Sequence, residues 1–177
     1  VAQAAHTVAV VAENVSWMLA SGFSMATAAM VGQRLGAGRP DEAESVMKEA
    51  LKLCTLALGV LGLIFIFVPG PYIALFTSDL AVRESAAVAL RIAGITEIAT
   101  AIVLTLNGGL SGAGETRPLF FVSIVGGLVR LSMAFVFIFI LDLGLAGAWL
   151  AAGVDWLVRS VLIWIRFKKG TWRTVTV

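Results

Sequence analysis

The sequence predicts an all-α integral membrane protein with five transmembrane helices, and three observations carry that prediction. Hydrophobic residues make up 59% of the 177 residues, and mean hydropathy is +0.97. Several apolar runs reach the roughly 18 to 20 residues that cross a bilayer's hydrocarbon core. Charged residues are only 14% of the chain and collect between those runs, where a soluble protein would spread them over its helix faces.

The spans are expected at roughly 5–33, 50–68, 90–110, 118–141 and 145–167, as a single helical membrane domain over 1–177. The first closes in Val-Gly-Gln-Arg-Leu-Gly-Ala-Gly-Arg-Pro, residues 31–40. Gly36 and Gly38 suit the backbone of a helix C-terminus, and Pro40 prevents simple continuation. Asp41, Glu42 and Glu44 then suit the first turn of the second span, where the helix macrodipole favours negative charge. The third span ends in a related pattern. Gly32-Gln-Arg-Leu-Gly36-Ala-Gly38 matches Gly108-Gly-Leu-Ser-Gly112-Ala-Gly114, each followed shortly by an arginine and a proline. Small residues four apart let helices approach closely, so packing and turn formation outrank ligand binding at these glycines. Neither copy carries the lysine and hydroxyl of a phosphate loop.

An odd number of spans places the two chain ends on opposite sides. The loops on the tail's side carry Arg34, Arg39, Lys48 and Arg117, and the tail adds Arg166, Lys168, Lys169 and Arg173. The positive-inside rule makes that side cytoplasmic, with the protein multi-pass in the cell membrane. The net charge of +2 speaks for membrane orientation over nucleic-acid binding. Cys54 is the lone cysteine and lies in an apolar run, so it reads as packing. The first span lacks the basic flank of a cleavable signal. A start at Val1 favours an excised or processed piece over a whole gene product.

Four stretches taken together, GFSMATAAMVGQRLGAGRPDEAE, ALFTSDLAVRESAAVALRI, GGLSGAGETRPLFF and FKKGTW, resemble the second half of a multidrug and toxic compound extrusion (MATE) transporter. The resemblance covers nearly the whole chain. It implies a molecule of two six-helix lobes, in which these spans are helices eight to twelve and the seventh helix and first lobe are missing. It also implies exchange of cationic or amphipathic drugs for sodium ions or protons through a cleft that opens alternately to each side. No cofactor is implied. The implied partners are the lipid bilayer, the missing lobe or a second copy, and a small cationic or amphipathic drug. Such transporters carry acids in helices matching the first and third spans, in the latter at or near Thr100.

Ionisable groups inside a membrane are costly and mark functional sites by default. Glu13 shares one helical stripe with His6, Trp17 and Ser24. An acid there can exchange a proton or attract a cation, and Trp17 can stack on an organic cation. The alternative role for Glu13 is a packing hydrogen bond; His6, near the outer end, fits an interfacial polar residue better than a relay. Glu97 opens a polar stripe with Thr96, Thr100 and Asn107 whose oxygens could coordinate a hard cation such as sodium. Equally, Glu97 could reach water or pair with Arg91. Asp155 and Arg159 stand four apart and can pair as a structural unit. Arg130 could complete that pair or reach headgroups. Trp149, Trp156 and Trp164 fit packing and interface anchoring.

One cysteine and one histidine cannot supply a zinc set. No Ser-His-Asp triad is oriented around that histidine. An intramembrane enzyme acting on lipid phosphates would need clustered acids with a divalent metal, and these acids are dispersed. The expectation is therefore a transporter with no enzymatic activity. A flippase for lipid-linked sugars is the related alternative, and a non-transporting truncated membrane fragment is another.

Overall fold

The computed structural model describes residues 2–174. Six α-helices follow one another: α1 (Ala2–Gly36), α2 (Pro40–Phe67), a short α3 (Pro69–Ile73), α4 (Leu80–Gly112), α5 (Thr116–Phe135) and α6 (Gly144–Lys169). A π-helical turn at Val136–Ile140 extends α5, and a 3-10 turn at Thr171–Thr174 follows α6. Strands are absent among the described residues. Five helices, all but α3, are long and apolar enough to cross a membrane.

The repeated glycine pattern is a repeated helix stop. Gly38 and Gly114 adopt left-handed backbone angles, φ 71° and 83°. In the first copy Gly38 N donates to Leu35 O at 2.9 Å and Arg39 N to Arg34 O at 2.9 Å. In the second, Gly114 N donates to Ser111 O at 3.0 Å and Glu115 N to Leu110 O at 2.9 Å. Both are Schellman closures, which satisfy the last carbonyls of a helix at a residue without Cβ. Pro40 then opens α2 where its missing N–H costs nothing, with Asp41 and Glu42 in the first turn. Asp79 caps α4, its Oδ1 accepting from Ala81 N at 2.9 Å and Val82 N at 3.2 Å.

These caps explain a difference from the hydropathy reading. Helices α2 and α4 begin at Pro40 and Leu80, each ten residues before the expected apolar span. Proline and the aspartate cap set where a helix starts, while hydropathy reports only which part of it lies in oil.

Helix α4 is the hub and packs against all five other helices. Glycines set its distances. A Cβ on Gly108 would stand 2.2 Å from Ser24 O, and one on Gly112 2.2 Å from Ala28 O. The α1–α4 crossing is therefore backbone against backbone, Gly108 and Gly112 facing Ser24, Ala28 and Gly32. A Cβ on Gly62 of α2 would likewise stand 2.7 Å from the carbonyl oxygen of Gly94 of α4. In lipid, where apolar burial gives helices no reason to associate, such close packing is what holds them together. Gly36 takes no part, since a Cβ there would meet nothing within 4 Å.

Helix α5 is the least enclosed. Phe120, Phe121, Leu128, Leu131 and Phe139 all face outward, an apolar surface that water would not tolerate. At the end of the bundle carrying most of the basic residues, the C-terminal turn is clasped to both hairpins. Glu115, at the α4–α5 turn, accepts from Arg166 Nε at 2.9 Å, Arg166 Nη2 at 2.7 Å and Thr171 Oγ1 at 2.8 Å. Trp172 is buried, stacks on Phe167 and donates Nε1–H to its carbonyl at 3.1 Å. Arg173 pairs with Glu44 and, at 3.4 Å, with Asp41.

Candidate functional site

A cavity of about 200 Å³ lies among α1, α4, α5 and α6. Its geometry follows from the helix period on α1. His6, Val10, Glu13 and Trp17 succeed one another at three- and four-residue steps, so one face of α1 lines the whole cavity. Across from it, α6 presents Trp149 and Trp156, two turns apart, with Ala152 and Gly153 between them. Small residues at the middle of that face leave the space that the tryptophans bound. Gly153 also lets α6 approach Thr96 of α4, whose Cγ2 would stand 3.1 Å from an added Cβ.

Two aromatic tiers bracket the acid. His6 and Trp149 meet edge-on at 5.8 Å between centroids, and Trp17 and Trp156 at 5.7 Å. Glu13 stands between the tiers, half-buried, and Arg130 of α5 closes the rim. The two charges act on each other electrostatically without forming a direct ion pair. Ser24, on the same stripe of α1, lies beyond the cavity because the α1–α4 crossing at Gly108 closes that level.

Glu97 occupies a different place. It is 2% exposed and packs over Gly62, whose added Cβ would stand 3.2 Å from Glu97 Cβ. Ser16 of α1 is the neighbouring hydroxyl, yet Glu97 Oε2 and Ser16 Oγ both lack hydrogen-bond partners. The stripe expected to join it does not converge. Thr100 Oγ1 donates to Thr96 O at 3.2 Å, and Asn107 Oδ1 accepts from Ser111 Oγ at 3.4 Å. Hydroxyls on a helix readily turn back to their own backbone, and residues 100 and 107 sit some 60–80° around the helix from Glu97 at about 100° per residue. Arg91 is exposed and makes no ion pair with Glu97.

Asp155 and Arg159 form a side-chain ion pair, with Nη2 donating to Oδ2 at 3.2 Å as a second contact. Their seat is Gly126 of α5, where a Cβ would stand 2.3 Å from Asp155 Oδ1. Arg130 therefore does not complete that pair; it stands one turn further along α5, at the cavity. Trp149 and Trp156, expected as packing and interface anchors, line the cavity as well, and their seven-residue spacing around small residues is the signal for it. The Glu115–Arg166 pair joins residues 51 apart and has no local signal.

The fold and cavity define a helical membrane protein in which Glu13 and Arg130 line a cavity among four of its helices. A family model described as MatE matches residues 1–136, and the chain belongs to that family. A probable multidrug resistance protein NorM of Thermotoga maritima is 33% identical over 172 residues, which cover 97% of this chain and 37% of that protein. The chain thus spans little more than a third of the length of the curated relatives it matches. A eukaryotic MATE transporter superposes with a TM-score of 0.88 at 20% identity, covering 97% of this chain and 39% of that one. A MOP superfamily transporter from Pyrococcus furiosus superposes at 0.84 with 23% identity, covering 98% and 39%. These likenesses establish the fold.

Proposed function

We propose that the chain is one wall of a secondary multidrug antiporter, most of the second lobe, which exports cationic or amphipathic compounds in exchange for protons by alternating access. It sits in the cell membrane with its basic end and tail cytoplasmic, as the charge asymmetry between its loops supports. The observation that carries the reading is Glu13 bracketed by two aromatic tiers. A carboxylate attracts the charge of an organic cation, and indole faces stack on its rings. At about 200 Å³ the cavity falls short of the roughly 300–1,000 Å³ that enclose drug-sized ligands. That shortfall fits a cleft completed by another lobe, and these five helices alone are expected to transport nothing.

The proton is the coupling ion that the geometry favours over sodium. A lone buried carboxyl such as Glu97 takes up a proton by itself, whereas a hard cation asks for several converging oxygens. Thr100 and Asn107 are turned toward their own helix. Protonation of Glu13 and occupation of the cavity by a cation exclude each other, and that exclusion couples the two fluxes. A flippase for lipid-linked sugars would ask for a net basic cleft, but Arg130 is offset by Glu13.

The test is dye efflux from vesicles holding the full-length protein, under an imposed proton or sodium gradient, with Glu13→Gln and Glu97→Gln made singly. Glu13→Gln should lose at least tenfold in dye affinity, and Glu97→Gln should bind dye but respond weakly to the proton gradient. Wild-type efflux from both variants would overturn the assignment.

A further inference from the structure

A second recess lies away from the cavity, between α1 and α2 near the hairpin that joins them. It has a volume of about 330 Å³, with Phe23, Ala26 and Met30 on one wall and Val46, Ala50 and Leu53 on the other. The small side chains at 26 and 50 keep the two helices from filling the space. From Phe23 to Met30 the slot runs about 10 Å at the helix rise, and Met30 and Leu53 are about half exposed. One charge interrupts this apolar lining, the carboxylate of Glu49.

Around the hairpin the other charges are in ion pairs. Arg34 and Arg39 hold Glu42, Lys48 holds Glu44, and Arg173 reaches Glu44 and Asp41. Among the described residues Glu49 and Lys52 form no ion pair, although they stand one turn apart on α2. Beyond them α2 carries no charge from Leu53 to Phe67, about 22 Å at the helix rise against a hydrocarbon core of roughly 30 Å. The carboxylate and the ammonium therefore stand at the edge of that core, where headgroups meet acyl chains, with the slot leading inward from them.

We propose that this slot binds a phospholipid whose headgroup bears a primary ammonium. Glu49 accepts from the ammonium, Lys52 meets the phosphate, and the slot holds the first part of an acyl chain. The two charges of such a headgroup are joined by a two-carbon link, the same scale as the roughly 5–6 Å between Cβ atoms three residues apart on a helix. A carboxylate can only accept hydrogen bonds, so it distinguishes a primary ammonium, which donates, from a trimethylated one, which has no N–H. An anionic headgroup without an amine would meet Lys52 but be repelled by Glu49. A transmembrane helix laid on the slot would leave Glu49 and Lys52 unpartnered unless it brought a charge of each sign to one turn, whereas this headgroup brings both.

The test is competition for the purified full-length protein, read by native mass spectrometry of the lipid-bound species. The probes are phosphatidylethanolamine, phosphatidylcholine and phosphatidylglycerol with identical acyl chains, and the proteins are the wild type, Glu49→Gln, Lys52→Gln and, as a control, Glu42→Gln. The wild type should retain phosphatidylethanolamine over phosphatidylcholine by roughly three- to fivefold, the effect of a partly exposed ion pair. Glu49→Gln should bring that ratio close to one, Lys52→Gln should weaken both lipids, and Glu42→Gln should leave the ratio as it is. A ratio between two lipids is insensitive to the fraction of protein that folds. Equal retention of the two by the wild type, as a slot covered by another helix would give, would overturn the proposal. So would a ratio that Glu49→Gln leaves unchanged, or phosphatidylglycerol displacing both. Dye efflux does not enter the readout, so the cavity reading and this one stand or fall separately.

Discussion

Gly36 and Gly112 hold the same place in two copies of one motif, yet alanine at each should have opposite effects. At Gly112 an added Cβ would stand 2.2 Å from Ala28 O and 2.8 Å from Ala28 Cα and C. Ordinary contact begins near 3.4 Å, so α1 must retreat by about 3.4 − 2.2 = 1.2 Å. The obstacle is backbone, and no rotamer change relieves it. A gap of that order forfeits about a quarter to a half of each dispersion contact along the seam, and overpacking of this kind costs about 1–3 kcal/mol. At Gly36 nothing lies within 4 Å and the residue ends a helix at ordinary φ, so alanine adds up to about 0.5 kcal/mol of helix propensity. The two variants should therefore differ by about 2 kcal/mol. Thermal loss of the monodisperse peak in detergent, measured on matched preparations, ranks them: Gly36→Ala at or above wild type, Gly112→Ala clearly below. Equal midpoints for the two, or a more stable Gly112→Ala, would refute the backbone-contact argument.

Two further outcomes follow from the ends of the bundle. Arg166→Ala should destabilise by about 2–3 kcal/mol, because it leaves the Glu115 carboxylate buried without its main partner; Glu115→Gln in the same chain should recover part of the loss. Strictly additive losses in a double-mutant cycle would show that the pair is not coupled. Tyr72, outside the membrane spans, donates its hydroxyl to Ala12 O at 3.0 Å, and burial pushes its phenol pKa up. It is the chain's single tyrosine, so the tyrosinate absorbance difference against Tyr72→Phe should show a midpoint above the ordinary value near 10. With the folded pKa raised, the unfolded chain gives up its proton first as pH climbs past about 10, and stability falls through that window. A midpoint at or below 10 would contradict the burial of this hydroxyl.

The five long helices were legible because bilayer thickness and hydropathy constrain them strongly, and the two glycine stops because a Schellman closure demands Gly38 and Gly114. The face shared by His6, Glu13 and Trp17 was legible from the helix period. What the period cannot supply is the neighbour that a face meets. Gly36 and Gly112 read alike and differ only because α1 crosses α4 at Gly112. Thr100 and Asn107 looked like company for Glu97, but their side chains turn to their own helix, and the acid sits over Gly62 instead. Trp149 and Trp156 read as anchors until α5 and α6 were placed around the cavity. Glu115 and Arg166 are brought together by the return of the tail, a contact between distant segments without any local pattern.

The seating of the buried charges also orders the chain's biogenesis. A lone ionised side chain at the centre of a membrane helix costs about 2.5–3.5 kcal/mol on insertion scales. Ser16 and Gly62 precede Glu97, and Gly126 precedes Asp155 and Arg159. During synthesis from the N-terminus, the α1–α2 hairpin is thus already in the bilayer when α4 emerges, and α5 is there when α6 arrives. Helices α4 and α6 are each received by a template made before them, so Glu97 and the Asp155–Arg159 pair need not wait in lipid for their seats.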